Sequence, residues 1–456
     1  MDTRRFTLAT ALTLVAAYLG LFVGLIDANA VNLALPAIRT HLGGGISWAQ
    51  WTIDAYNISF AALLLTSGSL GDRFGRRRLL RIGLAVFVLA SLACAAAPSL
   101  PILLTARAVQ GVGAALMLPH GLAIAAAAFA HPIERGRATA AWAMAAAMST
   151  ALGPILGGVL TDTIGWRYIF WLNIPVGLLA LLMTRRFLPE SRDRDASYID
   201  IRGQALAVVA LATLTIVLVE GRSTAPVWVA VLAVCAVAAV AAFVISQHRA
   251  AVPMLPLDLF RSRRLTAALI ATFTMTFGIY GLLLVNSFVF QRQRGASALV
   301  TAFWFLPMPL MYLALIPFAN AMAHRTGPRL PMSAGLGLMA AGLLLYAGVG
   351  PYADVWLLEL SFVLAGAGLA LNTGPAVGLA MAAVPVRRAG LASGVVNLAR
   401  PVGITVGVAV LGSAMAAVGA QIAMALGGVV QLVGAVVAVR WARDATATTE
   451  EEVCHA

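Results

Sequence analysis

Two charged residues of opposite sign stand inside otherwise apolar runs of this sequence. Asp27 lies among Leu25, Ile26, Ala28 and Ala30 with no arginine nearby in the chain, and Arg107 is followed by Gln110, Gly111 and Gly113. Charges in such surroundings are costly and mark functional positions unless they are peripheral. Burial disfavours the charged form of a lone carboxyl, so Asp27 reads as a group that takes up and releases a proton. Its plainer alternative is a structural aspartate bonded to backbone, Asn29 or Asn32. A buried arginine must find a partner, and Arg107 is the evident counter-ion, with helix packing through Gln110 as the plainer alternative. If the two meet, protonating Asp27 frees Arg107, and a two-state pair of this kind can couple a conformation to a proton gradient.

A second constellation fills residues 68–80, where Gly68, Gly71 and Gly75 alternate with Asp72, Arg73, Arg76, Arg77 and Arg78 between two long apolar runs. Its glycines let two helices approach and the chain reverse, and its arginines mark the side of a bilayer that retains positive charge. A third is a backbone motif: Pro154 removes a helix hydrogen bond, while Gly153, Gly157 and Gly158 permit close approach to a neighbour. Gly366, Gly368, Gly374 and Pro375 carry a similar pattern. Asp54 and Glu359 sit a few residues inside the ends of their runs. Snorkelling to external water is the simpler reading of both, and facing a cavity to attract a cationic substrate is the other. Asp162 and Glu220 read as solvated, and His120 as a lone structural histidine.

The elements that must hold these residues follow from composition. The chain has 456 residues, 61% hydrophobic and 11% charged, with mean hydropathy +0.91, which excludes a soluble globule with a polar surface. All 31 basic residues are Arg, and the net charge of +13 is scattered through short loops, so it orients a membrane protein and does not bind nucleic acid. Cys94, Cys235 and Cys454 support neither a disulfide framework nor a metal site. Arg4-Arg5 before an apolar run loosely imitates a signal peptide, but the run is too long for one and further spans follow.

Windows of about 20 apolar residues give fourteen spans, beginning with 8–34 and 48–70 and ending with 297–321, 330–349, 354–382, 389–412 and 418–440. With both termini inside, cytoplasmic segments hold 24 arginines and external segments 5, a bias that sets the orientation. Trp48, Trp51, Trp166 and Trp171 then fall at external ends, and Asp27 and Arg107 both lie in or near the outer half. Asp72-Arg73-Phe-Gly75 recurs in weakened form as His324-Arg325-Thr-Gly327, and Pro132-Ile-Glu-Arg135 as Pro385-Val-Arg-Arg388, with nearly equal shifts. The parse is a six-helix bundle over residues 1–186, an inserted helix pair with linkers over 187–264, a second six-helix bundle over 265–441 and a cytoplasmic tail over 442–456.

Several stretches resemble the drug:proton antiporters with fourteen helices, a branch of the major facilitator superfamily. They are Ile26-Asp-Ala-Asn-Ala-Val-Asn-Leu-Ala-Leu-Pro36, Trp51-Thr-Ile-Asp-Ala-Tyr56, residues 68–80, Arg107-Ala-Val-Gln-Gly-Val-Gly113, the Gly153 to Gly158 motif, Gly165-Trp-Arg-Tyr-Ile-Phe through Gly177, and Pro256-Leu-Asp-Leu-Phe260. The resemblance implies an all-α membrane protein of the major facilitator fold, exporting amphipathic toxic compounds by alternating-access exchange for protons. It implies no cofactor, no enzymatic activity, a multi-pass monomer in the cytoplasmic membrane, and a drug-like substrate. It assigns Asp27 and Arg107 to proton coupling, Gly68, Asp72, Arg73, Gly75 and Arg76 to a conformational-lock loop, and Gly153, Pro154, Gly157 and Gly158 to the antiporter motif. Asn32, Asp54, Tyr56, Gln110, Asn286, Glu359 and Asn372 are the candidate substrate contacts. Asn29 departs from the family's usual Thr, an Ala-rich stretch precedes Gly153 where Gly is usual, and the external loop before the last span is nearly absent. A proton-coupled importer on the same fold and a membrane-embedded lipid-handling enzyme are the alternatives; the latter should show a His, Cys or paired-carboxylate cluster near one interface.

Overall fold

The apolar windows fold as helices, the structure that satisfies its own backbone in lipid, and several run past the window: 8–34 continues to Leu42 and 389–412 to Val418. The computed structural model describes residues 8–128, 132–190, 200–220, 226–250, 253, 255–384 and 389–442. The helices are α1 (Leu8–Leu42), α2 (Ile46–Phe74), α3 (Arg76–Ala96), α4 (Leu100–Ala128), α5 (Pro132–Thr163), α6 (Arg167–Phe187), α7 (Ile201–Glu220) and α8 (Pro226–Arg249). After a 3-10 turn at Leu257–Arg261 come α9 (Arg263–Phe288), extended by a π turn, then α10 (Ala298–Phe305), α11 (Pro307–Thr326), α12 (Arg329–Val349), α13 (Val355–Ala382), α14 (Ala389–Val418) and α15 (Ala420–Trp441). The linker residues 191–199, the Pro385 to Arg388 half of the repeat, Arg4-Arg5 and the tail from residue 443 lie outside the described residues.

Thirteen described segments are long and apolar enough to cross a membrane. Helix α2, 29 residues long, is the fourteenth, its hydropathy lowered by Gln50, Asp54 and Asn57. The expected span 297–321 is two helices, α10 and α11, that break at Leu306, where Pro307 has no N–H to continue the ladder. Between α14 and α15 the whole connection is Gly419, at φ +97°.

Two compact units emerge. Unit 1 comprises Met1–Thr213, Val234–Met254 and Ala296–Phe303; unit 2 comprises Leu214–Ala233, Leu255–Gly295 and Trp304–Ala456. In unit 1, α1 packs on α4, α5 and α6, α2 on α4, and α3 on α4 and α6. In unit 2, α9 packs on α13, α14 and α15, α11 on α13, and α12 on α13 and α15. The pairing is the same once α1 is matched with α9, α2 with α11, and α3 to α6 with α12 to α15.

Close contacts set the match residue by residue. Gly83 meets the backbone of Gly113 as Gly335 meets that of Gly368; Gly111 lies on the carbonyl of Tyr56 as Gly366 lies on that of Met308. Gly157 lies on the carbonyl of Ala30 as Gly407 lies on that of Phe277. A side chain at any of these positions would overlap a neighbouring backbone, which is how small residues let membrane helices approach.

Candidate functional site

Helix α1 brings Asp27 into the interior of unit 1 because Gly153 and Gly157 of α5 let α1 seat closely from Ile26 to Ala30. Asp27 is 0% exposed and Arg107, on α4, is 1% exposed. The Arg107 Nη1 donates to Asp27 Oδ2 at 2.5 Å and to Gln110 Oε1 at 2.6 Å, and its Nε donates to the carbonyl of Thr52 at 3.1 Å. The other carboxylate oxygen, Asp27 Oδ1, accepts from Gln110 Nε2 at 3.1 Å and from Asn173 Nδ2 at 2.7 Å. Ser91 closes the network, accepting from Gln110 at 2.9 Å and from Asn173 at 3.3 Å while donating to the carbonyl of Phe87.

The guanidinium lies 4.5 Å from the ring centroid of Tyr56 and 5.8 Å from that of Phe170, so two aromatic faces also hold it. Every hydrogen bond at Asp27 arrives from a donor, the pattern of a carboxylate; removing its charge leaves those donors competing for a weaker acceptor. Five helices, α1, α2, α3, α4 and α6, contribute to this one cluster.

The structure thus joins Asp27, Arg107, Gln110 and Tyr56. It engages Gln110 and Tyr56 in the ion pair's own network, where the sequence suggested substrate contacts. Sequence reasoning misses Ser91 and Asn173, although Asn173 is the one amide of helix α6, between Leu172 and Ile174.

Asp54 corrects the snorkelling expectation. It is 0% exposed, neither carboxyl oxygen has a hydrogen-bond partner, and it lies two residues beyond Thr52, on another face of α2. Glu359 is half-buried on α13 beside exposed Trp356 and Leu360. Asn32, Asn286 and Asn372 are buried, each donating its amide to a backbone carbonyl and leaving Oδ1 without a partner. They belong to different places: Asn32 in unit 1, Asn286 and Asn372 in unit 2.

The 68–80 motif is built tightly. Gly75, at φ +102°, is the single residue between α2 and α3, and its N–H donates to the carbonyl of Gly71. Asp72 pairs with Arg76 at 2.8 Å, the N–H of Arg77 donates to Glu190 Oε1 at 3.0 Å, and the Arg77 side chain donates to the carbonyl of Arg185. Arg73 lies over the Phe74 ring. His120, expected to stand alone, is 3.1 Å from the Ser67 hydroxyl, with its ring against Gly71. Gly68, by contrast, faces open space.

Asp162, expected to be solvated, accepts the N–H groups of Ala298 and Leu299 at 3.0 and 2.7 Å, capping the start of α10. Pro154 lies within the continuous helix α5, and Gly158 sits against Ala298 and Leu299.

Comparison with known proteins follows the same lines. A family model described as Major Facilitator Superfamily matches residues 17–311 and again 268–453. The chain is 38% identical over 408 residues to the multidrug resistance protein Stp of Mycobacterium tuberculosis, covering 89% of this chain and 76% of that one. It is 34% identical over 411 residues to the drug efflux pump JefA of the same organism, covering 89% and 80%. With the methylenomycin A resistance protein of Streptomyces coelicolor it shares 33% over 403 residues, covering 86% and 83%. Among solved structures it resembles a POT family transporter in complex with 5-aminolevulinic acid, with TM-score 0.72, 15% identity and coverage of 94% and 96%. It also resembles a human organic anion transporter, with TM-score 0.67, 19% identity and coverage of 94% and 99%. The paired helix bundles, the sequence matches over nearly the whole chain and the shared fold lead to one conclusion: this multi-pass membrane protein belongs to the major facilitator superfamily of transporters.

Proposed function

We propose that the protein exports amphipathic, drug-like compounds in exchange for protons, by alternating access. The observation that carries this reading is the buried Asp27–Arg107 pair with its four supporting polar neighbours, in a chain whose relatives are named for drug efflux and antibiotic resistance. A proton arriving from outside neutralises Asp27. Arg107 then keeps Gln110, the Thr52 carbonyl and the Tyr56 and Phe170 faces, and the tie between α1 and α4 loosens. Asp54, buried with no hydrogen-bond partner among the described residues, is a second position for a proton. The Asp72–Arg76 loop acts as a latch that holds one of the two conformations, and α5 flexes at Pro154 while its glycines keep it against α1. Asn32, Asn286, Asn372 and Glu359 contact substrate. The protein is a monomer of the cytoplasmic membrane with both termini inside. It is driven by the proton gradient without a cofactor, performs no enzymatic reaction and binds no nucleic acid.

The test is proton release from purified protein when cationic, neutral and anionic drugs are added, comparing wild type with Asp27→Asn. Wild type is expected to release protons with at least one compound and the variant with none. Drug binding without proton release in wild type, or equal release from Asp27→Asn, overturns exchange through this residue.

A further inference from the structure

Arg400 of unit 2 is a cation within an apolar helix that the ion-pair mechanism leaves unused. Arg400 lies eleven residues after the first residue of α14, Ala389, a rise of about 16 Å, too deep for a side chain simply to reach the near end of its helix. It is half-buried, and its Nε is fully buried without a hydrogen-bond partner. No described residue forms an ion pair or hydrogen bond with it; Glu220, Asp258, Asp354 and Glu359, the described carboxylates of unit 2, do not reach it. The ionisable groups that face it closely enough to act on its charge are the phenols of Tyr312 on α11 and Tyr280 on α9. Both are donors, and neither makes a hydrogen bond among the described residues.

A guanidinium inside a membrane segment ordinarily pairs with an anion or faces a watery path. Here three donors, from α9, α11 and α14, have no hydrogen-bond acceptor among the described residues. These helices match α1, α2 and α5 of unit 1. Resting on the export reading above, we infer that Arg400, with Tyr280 and Tyr312, forms an anion-accepting subsite of unit 2 that takes the carboxylate or enolate of an acidic amphipathic substrate.

Equilibrium dialysis of the purified full-length protein tests this with three probes: 1-pyrenebutyrate, its neutral amide, and ethidium. Wild type is expected to bind the carboxylate at least about tenfold more tightly than the amide, the scale of a charge-assisted hydrogen bond. Arg400→Gln should erase that preference and leave amide and ethidium affinities unchanged; Arg400→Lys and Tyr312→Phe should each keep part of it. Equal binding of carboxylate and amide by wild type, or a preference that survives in Arg400→Gln, overturns the subsite while the export reading stands. Loss of all three probes in Arg400→Gln, with the preference undiminished in Arg400→Lys and Tyr312→Phe, marks a structural cation and overturns it too. Failure of wild type to bind any probe removes the export reading, and the subsite with it.

Discussion

The two units share a packing scheme and differ in what they enclose. Matched through their glycine contacts, Asp27 of unit 1 corresponds to Thr274 of unit 2, Arg107 to Phe362, Gln110 to Ala365 and Ser91 to Leu343. Where unit 1 seals a salt bridge, unit 2 packs aromatic rings: Phe362 lies 5.1 Å from Phe305 and 6.2 Å from Phe290, which lies 4.9 Å from Trp304. The central helix of unit 1 is tied down through a charged side chain. That of unit 2 is tied through its backbone, with Asn372 donating to the carbonyl of Ala271 and Gln431 to that of Thr274. The relation inverts on α5 and α14, where Thr150 of unit 1 is satisfied by the carbonyl of Ala146 and its counterpart Arg400 has no hydrogen-bond or ion-pair partner among the described residues. A duplicated scaffold can therefore place a buried ion pair in one half and an aromatic cluster at the matched positions of the other, because helix approach depends on the small residues and leaves the remaining positions free to diverge.

The strongest way to break this comparison is to unpair the ions. Arg107→Ala leaves Asp27 buried without its cation, and breaking a buried pair costs about 3–5 kcal/mol. Denaturation in detergent should show that loss, whereas Phe362→Leu at the matched position should cost only about 1 kcal/mol, as a volume change in an apolar cluster. The double variant Asp27→Asn/Arg107→Gln should recover much of the stability lost in Arg107→Ala. If Phe362→Leu proves as damaging as Arg107→Ala, the contrast between a polar and an apolar core carries no energetic weight.

A second pair of variants sharpens the shared scheme. A Cβ at Gly157 would stand 2.7 Å from the Ala30 carbonyl oxygen, and one at Gly407 would overlap that of Phe277. Gly157→Ala and Gly407→Ala should therefore each cost about 1–3 kcal/mol, the usual penalty for overpacking. Similar losses in thermal stability would support the equivalence of the two helix pairs, and a loss confined to one would break it.

Much of this was legible in the sequence, for physical reasons that also explain the gaps. Long apolar runs must become helices in lipid, so the spans could be read directly, and Asp27 and Arg107 stood out because charges are rare in such runs. Ser91 and Asn173 did not, since a small polar residue in a membrane helix commonly bonds its own backbone, as Asn29 does to the carbonyl of Leu25. Asp54 was misread because its nearness to a run's end was taken as nearness to water. Helix α2 starts at Ile46, about 12 Å away along the axis, and Asp54 has no exposed surface. The partners of Asp162 and His120 lie 136 and 53 residues away, a distance no local pattern encodes.

The smallest effect separates two glycines of one motif, Gly75 and Gly68. Gly75 needs its identity for conformation, at φ +102°, and for space, since a Cβ would stand 2.8 Å from the Glu190 carboxyl. Gly75→Ala should cost about 1–3 kcal/mol from backbone strain. Gly68 has neither requirement: it lies inside α2 and a Cβ would meet nothing within 4 Å. Gly68→Ala should leave stability unchanged or raise it by up to about 1 kcal/mol, the difference in helix propensity. Thermal denaturation and drug-resistance assays of the two variants distinguish folding from function at this turn. If Gly68→Ala is stable yet inactive, its open surface is one that transport must close on, and the motif of unit 1 does work that the weakened copy around Gly327 need not share.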